Sequence, residues 1–273
     1  MRPPYDAGVT DLLDLALRLA GQAGELLLQG APSHRGAGME AKTSHTDHVT
    51  DVDRASETLI VEGIRKARPD DGIVGEEGAD HAGTSGVRWV IDPLDGTTNY
   101  LYDHPAYAVS IGVEVDGAAQ VGVVAAPASG EVFSAERGGG AFRNGEPIAV
   151  SGHDDLATAL IATGFGYVAE RRAAQGAVVA RVLPHVRDIR RGGSAALDLC
   201  WVACGRLDGY YEAGLQAWDM AAGVLIAAEA GAVTTGLAGG PPVPGSVVAA
   251  TPGVAPALLA LLDEAGVEEL IVD

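Results

Sequence analysis

Three acidic stretches carry the residue types that could do chemistry. Asp92 and Asp95 leave the apolar run Trp89-Val90-Ile91 inside WVIDPLDGTTNY, Glu76 and Glu77 follow Ile73-Val74-Gly75, and Asp219 opens the apolar stretch WDMAAGVLIAAEAG. Read singly, each has a plain explanation. Asp, Pro, Gly and Thr favour turns, loop acids are commonly solvated, and a carboxylate at a helix N-terminus is favoured by the helix dipole. Read together they imply more. If Glu76, Asp92, Asp95 and Asp219 converge, four carboxylates repel one another unless a cation neutralises them. Oxygen donors with no Cys or His nearby favour magnesium, manganese or calcium over zinc. The run DPLDGTTNYLYD lacks the alternate-position ligands of a calcium-binding EF-hand loop. Magnesium keeps water and substrate phosphate oxygens in its shell, so the expected chemistry is phosphoryl chemistry.

Other phosphate-handling patterns fail. Phosphatases with an aspartyl nucleophile use D-x-D-G-T, and here Pro93 stands two residues before Asp95. The Walker G-x-x-x-x-G-K-[ST] loop and the G-x-S-x-G elbow are both absent.

The elements that must position these acids follow from periodicity. Residues 10–29 read as a helix with Leu12, Leu15, Ala16, Leu19 and Ala23 on one face, and 53–66 as a second, stopped before Pro69. Residues 73–74 and 89–91 read as buried strands, whose C-terminal ends are where α/β proteins place ligands. From 106 to 150 short alternating runs are broken at Asp116-Gly117, 128–130, 138–140 and Asn144-Gly145, which predicts an antiparallel meander. After that, strands at 159–163, 186–189, 207–211 and 247–250 alternate with helices at 169–182, 194–205, 217–230 and 256–265. The expected fold class is mixed α/β, hairpins in the first half and α/β alternation in the second. The expected domain is single, 1–273, with sub-halves of about 1–150 and 151–273.

Composition bounds the partners. A chain of 273 residues with 47% hydrophobic residues can bury a sizeable core. Its net charge of −19 argues against nucleic acid or an anionic membrane as partner, though not against phosphate substrates reached through cations. Cys200 and Cys204 read as packed, reduced thiols. Asp11, Asp14 and Arg18 interrupt the first apolar run, so no signal peptide and a cytoplasmic location are expected. Only Lys42 and Lys66 are lysines among 18 basic residues, and Lys42 sits in the polar run AKTSHTDHVTDVD.

The sequence resembles the inositol monophosphatases, within the lithium-sensitive, magnesium-dependent sugar phosphatases, and is similar to their actinobacterial members. The matches are GEE at 75–77, WVIDPLDGTTNY at 89–100 and WDMAAG at 218–223. They are supported by K-T-S-x-x-D-x-V-T-x-x-D at 42–53 and RRGGSAALDLCWVACGRLDGYYEAG at 190–214. The order and spacing run along most of the chain.

The resemblance implies a layered αβαβα fold and a set of roles. Glu76, Asp92 and the carbonyl of Leu94 would hold a first Mg²⁺, and Asp92, Asp95 and Asp219 a second, with two or three ions per site. Thr97, with Glu76, would position the attacking water, and Asp53 would orient Thr97. Asp95, Gly96 and Thr97 would meet the phosphate, with the Gly96 and Thr97 N–H groups beginning a helix there. Glu212 and the backbone of Gly193, Ser194 and Ala195 would meet the substrate ring. Lys42 and Asp47 would belong to a mobile loop over the metals. His45 and His48 in that loop are not expected as ligands. The substrate would be a small phosphate monoester, inositol 1-phosphate first, and the assembly a homodimer. Leu94 stands where relatives often have Ile, and Gln216-Ala217 where they vary, which leaves ring specificity open.

Three other readings stay open. Fructose 1,6-bisphosphate or histidinol phosphate could be the substrate on the same fold. The chain could be a non-catalytic regulator or interaction protein, a reading that ligand loss would favour, yet every expected ligand is present. It could be a plain calcium-binding module, which Thr97 argues against.

Overall fold

In the computed structural model, residues 6–30, 39–41 and 48–270 are described. Lys42, His45 and Asp47 of the expected loop lie outside them.

The first half begins with α1 (Asp6–Gln29), β1 (Met39–Ala41), β2 (His48–Thr50) and α2 (Asp51–Ala67). There follow β3 (Gly72–Gly75), β4 (Asp80–His81), β5 (Val87–Asp95) and the short α3 (Thr97–Leu101). A meander comes next: β6 (Ala108–Val115), β7 (Ala118–Ala126), β8 (Glu131–Glu136), β9 (Gly140–Arg143) and β10 (Glu146–Ile148). The second half runs β11 (Leu160–Thr163), α4 (Ala169–Val182), β12 (Asp188–Arg190), α5 (Ala195–Ala203), β13 (Gly209–Ala213), α6 (Ala217–Glu229), β14 (Val233–Thr235), β15 (Ser246–Ala250) and α7 (Ala255–Glu264).

Two larger sheets form. One has eight strands in the order β10-β9-β8-β7-β6-β5-β3-β4, antiparallel except for the parallel pair β3–β5. The other has five, β12-β11-β13-β15-β14, with parallel pairs around β11 and antiparallel pairs around β15. Three apolar cores hold five layers together. Leu12, Leu19, Leu27, Ile60 and Ile64 of α1 and α2 pack on Trp89, Ile91 and Ile111 of the large sheet. Leu199, Ala222 and Ile226 of α5 and α6 fill the space between the sheets. Val178, Val182, Leu258 and Leu262 of α4 and α7 cover the outside of the small sheet. The order is therefore αβαβα.

The turn chemistry of the meander works as its sequence demands. Asp116-Gly117 and Asn144-Gly145 all have positive φ, the geometry that matches the twist of paired strands. Gly112 and Gly122 have a packing purpose: a Cβ there would come within 2.8 Å and 2.7 Å of Ala221 and Ala222. Their absence of side chains lets α6 lie close on the large sheet, which brings Asp219 at its start toward the end of β5. Among the described residues no helix is long and apolar enough to cross a membrane.

Several boundaries differ from the sequence expectation. The strand expected at 89–91 runs on to Asp95. That expected at 207–211 sits at Gly209–Ala213, because Leu207 belongs to the loop leaving α5. β14 was not expected; its three residues are too few to show a period.

Candidate active site

The extension of β5 explains the spacing of its two acids. Successive side chains on a strand alternate faces, so residues three apart normally point to opposite sides. Here the register with β6 shifts: Asp92 pairs with Ser110 but Asp95 pairs with Ala108. Three steps on β5 oppose two on β6, a one-residue bulge. Pro93, which has no N–H to give a ladder, sits inside it. The extra residue restores the alternation, and Asp92 and Asp95 line the same cavity. Gly96 then turns the chain at φ 90° into α3; a Cβ there would also press on Ala106 O at 2.9 Å.

The cavity measures about 470 Å³ and takes Glu76, Asp92, Asp95, Thr97, Asp219 and Glu212 into its lining. Leu94, Gly96, Gly193, Ser194 and Ala195 also border it. Of the residues expected in the site, only Lys42 and Asp47, outside the described residues, and Asp53, which reaches it through Thr97, are not in this lining.

Asp92, Asp95 and Asp219 are each fixed by a backbone partner. Asp92 Oδ1 accepts the Leu94 N–H at 3.0 Å inside the bulge. Asp95 Oδ2 accepts the Ser194 hydroxyl at 2.6 Å and the Ala196 N–H at 2.8 Å, which ties the end of β5 to the start of α5. Asp219 Oδ2 accepts the Gln216 N–H at 2.6 Å, a helix-capping bond. One oxygen thus caps α6, and the residue still faces the cavity. The turn carrying Glu76 is held by Glu57 of α2, which accepts the Glu77 N–H at 2.9 Å and the Ala79 N–H at 3.0 Å.

Thr97 Oγ1 stands 3.2 Å from Asp53 Oδ1 and 3.1 Å from Leu94 O. A hydroxyl has one proton, so it donates to one of these at a time. When Asp53, buried and acceptor-only as a carboxylate, takes that proton, the Thr97 oxygen keeps its lone pairs for a water.

The electrostatics are those of crowded like charges. Burial pushes Asp92 well above the ordinary carboxylate range, and the charges of Glu76, Asp95 and Asp219 push the same way. Asp219 is raised well above it, first by burial and then by Asp95. Asp95 is raised to about 6 by burial, against the pull of its bonds from Ser194 and Ala196.

The opposite side of the cavity is built by the small sheet. Glu212 on β13 accepts the Tyr210 hydroxyl at 2.6 Å, and burial lifts it to about 7. Gly164, at the end of β11, faces the Glu212 carboxylate so closely that any Cβ would collide with it. Asn99 joins the two halves, donating to Ala106 O at 2.6 Å and Gly192 O at 2.9 Å. Asp198 on α5 is buried with Oδ1 unmatched, and burial, then Glu212, raise it well above its ordinary value.

Sequence reasoning missed Glu57, Asn99 and Asp198, and took Ser194 for a backbone contact only. Asp198 had a visible signal, one acid inside the apolar run AALDLCWVA. Asn99 lay within the motif already quoted. Glu57 had none, since it sits in an ordinary polar helix pattern.

The donor set fits a hard divalent cation: only oxygens face the cavity from the acidic side, and their repulsion calls for positive charge. Among the described residues no three acids are already closed into a cage. Magnesium does not require one, because it takes few protein ligands and completes its shell with water and phosphate oxygens.

Fold and site together define a class: a phosphatase of mixed α/β fold whose cavity takes residues from both sheets and from the helices between them. A model of the inositol monophosphatase family matches residues 9–267. The chain belongs to that family. It is 51% identical over 241 residues to the inositol-1-monophosphatase of Mycobacterium leprae, covering 83% of this chain and 82% of the relative. It is 42% identical to the Nus factor SuhB of Escherichia coli, covering 91% and 94%. The solved structure of Mycobacterium tuberculosis SuhB superposes with a TM-score of 0.80 at 45% identity, covering 94% of this chain and 97% of that one.

Proposed function

We propose that the chain hydrolyses inositol 1-phosphate to inositol and phosphate with the help of two or three Mg²⁺ ions. One observation carries this reading: Glu76, Asp92, Asp95 and Asp219 line a single cavity beside Thr97, with burial and mutual repulsion raising Asp92, Asp95 and Asp219. The name and 51% identity of the Mycobacterium leprae relative support inositol 1-phosphate as the substrate.

Those four acids and the Leu94 carbonyl would hold the cations. Bound there, magnesium would supply a Lewis acid that neutralises the phosphoryl oxygens and makes water nucleophilic near neutral pH. The chain's own residues do the rest. Thr97, its proton given to Asp53, holds the attacking water by an oxygen lone pair, and Glu76 takes a proton from it. The water oxygen bonds to phosphorus as the ester P–O bond breaks on the opposite side; the departing alkoxide takes up a proton from solvent, and Glu76 returns to solvent the one it took. The Gly96 and Thr97 N–H groups steady the phosphate. Glu212 and the Gly193–Ala195 backbone bind ring hydroxyls. A homodimer, a cytoplasmic location and inhibition by Li⁺ belong to this reading and rest on the family and the composition.

The test is phosphate release with and without Mg²⁺ on inositol 1-phosphate, fructose 1,6-bisphosphate, histidinol phosphate and adenosine 3′,5′-bisphosphate. Mg²⁺-dependent turnover with inositol 1-phosphate preferred is the expected result. A different favourite would reassign the substrate. No turnover from folded, metal-loaded protein would favour the interaction-protein reading, to which the Nus factor name of the Escherichia coli relative lends support.

A further inference from the structure

The cavity has a cationic end. Arg171 and Arg191 line it along with the acids. Arg191 is electrostatically matched, because it pulls down the carboxyls of Glu212 and Asp198. Arg171 is not: among the described residues it has no ion pair and no hydrogen bond. Arg18, Arg65, Arg172 and Arg191 also lack a side-chain ion pair or hydrogen bond among the described residues, but of these only Arg191 shares the cavity, and it faces Glu212 and Asp198.

The surroundings of Arg171 are built rather than incidental. Its side chain runs between two glycines. A Cβ on Gly166 would lie 3.0 Å from its Cδ, and one on Gly214 would lie 2.5 Å from its Nη1. One helical turn later, on the same face of α4, Gln175 is buried. Its Oε1 accepts the Gly166 N–H at 2.9 Å, and its Nε2 donates to Ala213 O at 3.3 Å. So one face of α4 presents the arginine and also pins the two loops that make room for it. A guanidinium offers a fork of donors that matches the oxygens of phosphate or carboxylate, and leaving it unmatched inside a cavity has no structural benefit.

We propose that Arg171 is a distal anion subsite, so that the cavity accepts phosphate monoesters carrying a second anionic group, a sugar bisphosphate above all. This rests on the phosphatase reading. The acids act on the scissile phosphate, and Arg171 receives the other one. A polyol with a single phosphate leaves Arg171 facing water.

The test compares kcat/KM for fructose 1,6-bisphosphate and inositol 1-phosphate in the full-length Mg²⁺-loaded chain, in Arg171→Met and in Arg171→Lys. Methionine keeps the apolar stem, and lysine keeps the charge without the fork. The ratio of bisphosphate to monophosphate kcat/KM is expected to fall at least tenfold in Arg171→Met, through KM. Arg171→Lys should keep part of it, and decides the matter if the methionine variant folds poorly. Added NaCl should raise the KM of the bisphosphate more steeply than that of the monophosphate. An unchanged ratio in both variants overturns the proposal. So does a wild-type chain that turns over inositol 1-phosphate and not the bisphosphate, a result that leaves the phosphatase reading intact. Turnover of neither substrate removes the phosphatase reading and the subsite with it.

Discussion

Two groups of buried acid meet the same strand and are treated in opposite ways. Near the start of β5, Asp71 is 2% exposed and fully matched. It accepts the Trp89 indole N–H at 2.9 Å and the Ser85 hydroxyl at 2.6 Å, and it pairs with Arg68. Burial alone would raise its pKa, but these donors outweigh burial and hold it below the ordinary value. At the other end of β5, Asp92 is 1% exposed and faces Glu76, Asp95 and Asp219, and it is raised. A scaffold buries a charge only with donors that satisfy it. A site buries charges against each other and leaves the mismatch for a ligand to resolve. The cavity end of β5 thus carries an excess of negative charge that its protein neighbours do not resolve.

The largest break in that comparison is Asp219→Asn. The amide oxygen can still accept the Gln216 N–H, so α6 stays capped. We expect kcat to fall by about a thousandfold or more, in line with loss of one preorganised electrostatic group. Metal-free Asp219→Asn should melt no lower than wild type, since one repelling charge is gone. Full activity in a folded variant would remove Asp219 from the cation site. Next comes Thr97→Val, which keeps the shape and loses the hydroxyl near Asp53. A roughly hundredfold loss in kcat is expected, the lower range for positioning a proton transfer. Thr97→Ser should recover most of it, and a valine variant with wild-type kcat would refute the water-holding role.

On the scaffold side, Asp71→Ala should cost about 2 kcal/mol in urea unfolding, by stranding the indole N–H of Trp89 and the Arg68 guanidinium. Activity per folded molecule should stay unchanged. A stability loss below 0.5 kcal/mol, roughly that of an ordinary surface substitution, would show that the network is ornamental.

The smallest effect sharpens the contrast by pH. Asp71 has a folded pKa below its unfolded value of about 3.9, so its contribution is present above that pH. It is lost as pH falls through the folded value. Glu212 has a folded pKa of about 7, above an unfolded value of about 4.3, so its contribution runs the other way. It is present below about 4.3 and lost as pH rises through about 7. Melting curves of metal-free protein should therefore decline from pH 5 to pH 8, and Glu212→Gln should flatten part of that decline. An identical slope in the variant would place the loss elsewhere.

Much of this was legible in the chain. The apolar stripes of α1, α5 and α6, the I′ turns at Asp116-Gly117 and Asn144-Gly145, and the four acids could all be read from period and residue type. Such features are local: a helix face needs a 3.6-residue repeat, and a tight hairpin needs two residues that tolerate positive φ. The bulge at Pro93 could not be read, because it exists only as a register against β6. The roles of Glu57, Asn99, Gln175 and Arg171 were hidden for a similar reason. Glu57, Asn99 and Gln175 act on backbone 7 to 93 residues away along the chain, the two extremes being Asn99 on Ala106 and on Gly192.

The sequence by itself determined which groups can carry charge, which segments must be helix or strand, and that acids outnumber every other chemistry in the motifs. Only the tertiary structure decided which of those charges are satisfied. Asp71 and Asp92 are the same residue type beside the same strand. What separates them is whether an indole, a hydroxyl and a guanidinium, or three other carboxylates, arrive from elsewhere in the chain. In a low-dielectric interior, that set of neighbours governs the energy of a charge, and no local pattern encodes it.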